Sequence, residues 1–96
     1  MNLIVEVVEV RGRCPVHRVG DVFRLLDGYR LSADRPVCMH ALAALLPYYN
    51  AVRFAEPAQL GLADRDDPGA LCVQCPDPCA RTGGGTVVLR VKRAGA

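Results

Sequence analysis

The side chains of this chain best suited to chemistry are thiols and imidazoles, and they are not evenly spread. Three of the five cysteines, Cys72, Cys75 and Cys79, fall in the stretch Leu71 to Ala80, where Pro76, Asp77 and Pro78 separate the last two. That pattern predicts a short strand running into a stiff loop that presents sulfur. Cys14 precedes His17 by three residues around Pro15, and a cysteine and a histidine at that spacing can share one ion. The competing reading is a buried cysteine beside a surface histidine. Cys38 and His40 form a third pair, near the start of an expected helix. Cysteine thiolates and imidazoles ligate zinc, a thiolate held at low pKa is a nucleophile, and a buried thiol is simply a small apolar group.

The elements that must position these residues follow from apolar periodicity. The opening Met-Asn-Leu-Ile-Val-Glu-Val-Val-Glu-Val predicts a central strand, with Leu3, Val5 and Val7 on one side and Ile4, Glu6, Val8 and Val10 on the other. The stretch has no basic start and no small-residue cleavage site, so it reads as a strand and not a signal peptide. A turn at Gly12 leads into the Cys14 to His17 segment. Gly20 then permits a bend, and Asp21 can tie that loop through its own backbone. Val22 to Leu26 is a second strand, and Asp27-Gly28 is a two-residue hairpin signal that returns the chain over Tyr29 to Leu31.

Asp34 as N-cap and Pro36 in the first turn predict a helix running to about Leu46. With 3.6 residues per turn, Cys38, Leu42, Leu45, Leu46 and Tyr49 share the core face, and His40 lies nearly opposite Cys38. Cys38 and His40 therefore cannot share an ion on a regular helix, and Cys38, near the positive helix end, is the functional candidate. Pro47 is expected to end the ladder and open a short second turn through Tyr48 to Phe54. The acidic run Asp64 to Asp67 reads as a solvated loop. In the strand Ala70 to Cys75, Cys72 and Cys75 point apart, which weakens Cys-x-x-Cys as a chelating or redox pair. Thr86 to Arg93 closes the fold with Val87, Leu89 and Val91 inward. The expected class is α+β: an antiparallel, possibly barrel-like sheet of four or five strands, with one main helix packed on it, in a single domain over residues 1–96.

Composition narrows the classes further. With 51% hydrophobic and 23% charged residues over 96 positions, the chain is an ordinary globular one. The net charge is only +2, and the arginines are scattered without a stripe, so nucleic acid is not an expected partner. No apolar run reaches the roughly 18 to 20 residues of a membrane span. A cytoplasmic location is expected, where thiols stay reduced and an odd number of cysteines reads as ligands, reactive thiols or buried groups. A protein partner is left open.

The Cys14-Pro15 pair, His17, Gly20-Asp21, the helix-start Cys38, Pro47 and the Cys75-Pro76-Asp77-Pro78 loop resemble a family of short, uncharacterised, mainly bacterial and archaeal proteins of about this length. The resemblance spans nearly the whole chain and brings no biochemical activity with it. Its pattern leaves out Cys72, Cys79 and His40, and so implies Cys14, His17, Cys38 and Cys75 as the common set. Three thiolates and one imidazole complete a tetrahedral zinc shell, which when closed is structural. Copper(I) or an iron-sulfur cluster uses the same soft donors. Two other readings stand beside the metal: a thiol-chemistry protein with Cys75, on an exposed loop, or Cys38 as nucleophile or sulfur carrier, and an interaction module whose cysteines are packed in the core.

Overall fold

A computed structural model describes residues 1–94. The elements are β1 (Leu3–Gly12), β2 (Val22–Leu26), β3 (Arg30–Ser32), α1 (Met39–Val52), a 3-10 turn at Pro57–Leu60, β4 (Leu71–Gln74) and β5 (Gly85–Arg93). The five strands form one antiparallel sheet in the order β3-β2-β1-β5-β4. The sheet is open, with β3 and β4 at its edges, so the α+β class holds without a closed barrel. Among the described residues no helix is long and apolar enough to cross a membrane.

The core lies on one face of the sheet. Leu3, Val5 and Val7 from β1, Val87, Leu89 and Val91 from β5, Phe23 from β2 and Leu71 from β4 are buried there with Ala41, Leu45 and Val52 of α1. Side-chain alternation in β1 changes at Val8. The pairing slips between Val7, opposite Leu89, and Glu9, opposite Val88. This bulge leaves Val8 as the extra residue and turns Val10 back to the core, opposite the buried Val87, where strict alternation would face it outward. The β2–β3 hairpin turns through Asp27, Gly28 and Tyr29 between the paired Leu26 and Arg30, one residue longer than the two-residue turn expected, with Asp27 and Gly28 both at positive φ (60° and 84°).

The helix differs from expectation at both ends. It begins at Met39, with Cys38 in extended conformation as its N-cap, and neither Asp34 nor Pro36 belongs to it. It also continues through Pro47 to Val52. Proline forfeits one backbone bond, but the buried stripe of Ala41, Leu45 and Val52, packed on β4 and β5, spans the interruption and outweighs it.

Candidate functional site

Antiparallel order brings the end of β1, the start of β5 and the end of β4 to one end of the sheet. Cys14 and His17 follow β1, Cys75 follows β4, and Cys38 precedes α1. Cys75, just past β4, continues the ladder: its N–H donates to the Val87 carbonyl at 2.9 Å, and its Sγ accepts from the Val87 N–H at 3.2 Å. As a thiol it also faces the Gly85 carbonyl, 3.7 Å away. Cys75 is only 4% exposed, so it does not stand on an exposed loop. Gly85 in turn lies against the backbone of Arg13 and Cys14. A Cβ there would come within 2.6 Å of the Arg13 carbonyl carbon and 2.7 Å of the Cys14 nitrogen, so only glycine permits this approach.

Cys14 is half-buried, and its Sγ accepts the backbone N–H of His17 at 3.2 Å. His17 is the most constrained side chain of the group, 3% exposed and stacked on Phe23. Its Nε2 accepts the Cys38 backbone N–H at 3.1 Å, which places the ring proton on Nδ1, where it meets Asp21 Oδ2 at 3.2 Å. The competing reading of His17 as a surface histidine therefore fails. The contact also explains why α1 starts late: Cys38 N–H is directed at His17 while its carbonyl accepts the first helical bond from Leu42 at 3.0 Å.

Asp21 organises the imidazole from behind. It accepts the Arg18 backbone N–H at 3.1 Å and the Arg35 guanidinium at 3.2 Å. The Arg18 N–H above all, joined by His17 and Arg35, holds its carboxyl below the ordinary range against the opposing effect of burial. Asp21 thus does more than tie its loop through the backbone. Its position four residues after His17 was the available signal for the ring contact.

The remaining thiols have other partners, although Cys79 lies close by, its sulfur against Gly12. Cys72 pairs with Arg90 on the sheet face away from the core, and its Sγ donates to Asp64 Oδ2 at 3.1 Å. Burial, reinforced by the Asp64 carboxylate, pushes the Cys72 thiol up to about 12. Cys72 is therefore a proton donor in a structural network and not a nucleophile. Asp64 also accepts Arg90 Nε at 2.9 Å and the Asp66 N–H at 2.8 Å. The Cys72, Asp66 and Arg90 hydrogen bonds hold its carboxyl well below the usual range, so the acidic run is not simply a solvated loop. Cys79 donates its thiol to the Gly84 carbonyl at 3.4 Å, and His40 is exposed on α1.

Asp77 holds the proline loop together. Its carboxylate accepts the Cys79 N–H at 3.0 Å and the Thr82 hydroxyl, and its carbonyl accepts the Thr86 hydroxyl at 2.6 Å. The loop after Cys75 is shaped by these bonds, as the flanking prolines suggest.

Contacts thus link Cys14 to His17 and His17 to Cys38, and Gly85 stands between Cys75 and the backbone of Cys14. Among the described residues, however, no three His, Cys, Asp or Glu side chains form a group that could hold an ion in this arrangement. The donor chemistry fits a soft metal in two respects. Cys14 and Cys75 each accept a backbone N–H, the bond that stabilises a thiolate, and the His17 proton is fixed on Nδ1 by a carboxylate. It fails to fit in one: Nε2 is engaged by Cys38 N–H. No protein-family model, curated protein or solved structure matches the chain.

Proposed function

We propose that this chain is a small cysteine-centred domain that holds a metal ion, zinc before copper(I) or an iron-sulfur cluster, through Cys14, His17, Cys38 and Cys75, in a structural or accessory role in the cytoplasm. The observation that carries the reading is the His17–Asp21 contact. Metal-ligating histidines almost always donate the second ring N–H to a carboxylate or carbonyl, which fixes the tautomer and raises ligand basicity. Here Asp21 does so and leaves Nε2, with its lone pair, toward the segment that carries Cys38. An ion would supply charge neutralisation for the thiolates and a crosslink between three chain segments. Binding requires Nε2 to exchange the Cys38 N–H for the ion, which couples metal uptake to the start of α1.

A second reading is favoured by a specific observation: both nitrogens of His17 are already bonded. In that case His17 is a permanent tie between the β1–β2 loop and α1, and the cysteines are core and loop packing groups of an interaction module. Of the thiols considered for nucleophilic chemistry, Cys75 is buried, which leaves Cys38 at the helix start as the candidate of that class. Elemental analysis of protein purified without an affinity tag separates these readings. Close to one equivalent of metal per chain supports the first, and metal-free folded protein supports the second.

A further inference from the structure

The loop that carries Cys14 and His17 has a second face. Val10, Arg13, Cys14, Pro15, Arg18 and Val19 line a wide, shallow cleft open to solvent. Its walls are mainly apolar: Val10, Pro15 and the exposed Val19. Its ionic residues are Arg13 and Arg18, both exposed. Among the described residues neither has a carboxylate partner or any side-chain hydrogen bond. The carboxylates of the two flanking segments are committed elsewhere, Glu9 to Arg11 and Asp21 to His17 and Arg35. The polar atoms of His17 are also spent, on Asp21 and Cys38.

We infer that this cleft binds a small organic anion, a carboxylate carried on an apolar body. Arg13 before Cys14 and Arg18 after His17 stand on either side of the bend at Pro15, both belong to the lining of this cleft, and neither side chain is engaged by a carboxylate among the described residues. A planar guanidinium meets a carboxylate with two parallel N–H···O bonds, and this pairing is stronger beside apolar walls than in open water. The two valines and the proline cover the apolar body and select against a bare inorganic ion. The site needs neither the thiols nor a metal.

The test is a titration of the ¹⁵N-labelled full chain with butyrate, followed by amide chemical shifts, with butyramide as the uncharged control of the same shape. Saturable shifts with butyrate, centred on Val10, Arg13, Cys14 and Val19 and absent with butyramide, are expected. An Arg13→Gln/Arg18→Gln double variant should bind at least about tenfold more weakly, a loss of roughly 1.4 kcal/mol, while its remaining spectrum overlays the parent. Both arginines are exposed, so the fold does not depend on them. Equal shifts with butyramide, non-saturating shifts, shifts centred elsewhere, or unchanged affinity in the double variant would each overturn the assignment. Because neither arginine belongs to the proposed ligand set, failure here leaves the metal content of the same sample unaffected, and the two outcomes remain distinguishable.

Discussion

The backbone N–H of Cys38 donates to Nε2 of His17 across a separation of 21 residues, at 3.1 Å, and this bond joins the β1–β2 loop to the start of α1. Because Asp21 fixes the other ring nitrogen, the contact has one orientation only. Replacing His17 with Ala leaves the Cys38 N–H without its partner, removes one of the three groups that Asp21 accepts, and empties a nearly buried site. A loss of at least about 2 kcal/mol is expected. Asp21→Asn, which keeps the shape but loses the charge, should cost about 1 kcal/mol. Urea midpoints at unchanged slope measure both. A His17→Ala midpoint equal to the parent's would show that the tie contributes nothing.

The contact between β5 and the Cys14 loop depends on the missing side chain of Gly85. Gly85→Ala should lower stability by more than about 2 kcal/mol, because the new Cβ meets backbone that cannot rotate away. Gly69→Ala is the matched control. Its Cβ would find only the Asp67 carboxylate at 3.9 Å, an ordinary contact, and should change stability by less than about 0.5 kcal/mol. Thermal midpoints of the two variants, compared directly, decide the point.

Asp77 accepts three hydrogen bonds, two at the carboxylate from its own loop and one at the carbonyl from Thr86 of β5, and these serve shape. Asp77→Asn retains an oxygen that can accept, so the fold should persist with a loss of about 1 kcal/mol and little change in metal content. Loss of bound metal in a variant with unchanged stability would place Asp77 among the ligands instead.

The Cys72–Asp64 pair makes a prediction in alkali. Burial and Asp64 raise the folded thiol from 9.0 to about 12. As pH rises above 9 the unfolded chain therefore releases this proton before the folded one does. Stability from this group is intact below pH 9 and declines between there and 12. The loss in urea midpoint between about pH 8 and about pH 10.5 should be smaller in Cys72→Ala than in the parent. Equal losses would mean that Cys72 ionises in the folded state as freely as in the unfolded one.

What could be read from the sequence was local, and what could not was mostly long-range. The Asp27-Gly28 hairpin, the inward Leu3, Val5 and Val7, the opposed directions of Cys72 and Cys75 and the role of Asp77 all follow from spacing within a few residues. The Asp34-Arg35-Pro36 start signal was overridden because Arg35 is drawn to Asp21 and Cys38 N–H to His17, partners 14 and 21 residues away. Pro47 was outweighed by a buried stripe whose depth depends on β4 and β5. Asp64, Cys72 and Arg90 meet only once the loop folds over the edge of β4, with Cys72 N–H bonded to the Leu62 carbonyl at 2.9 Å. The approach of Cys75, through Gly85, to the Cys14 backbone has a topological reason that strand order supplies and spacing does not.

The most direct test of the metal reading combines elemental analysis of tag-free protein with iodoacetamide labelling of the native chain, before and after a chelator, read peptide by peptide. Cys75 is buried in either case, so Cys14 and Cys38, both half-buried, are the informative thiols. The account predicts close to one zinc per chain, little labelling of Cys14 and Cys38 until the chelator is added, rapid labelling afterwards, and a lower thermal midpoint on metal loss. Metal-free folded protein in which Cys14 and Cys38 label at the same rate with and without chelator, at an unmoved midpoint, would contradict it.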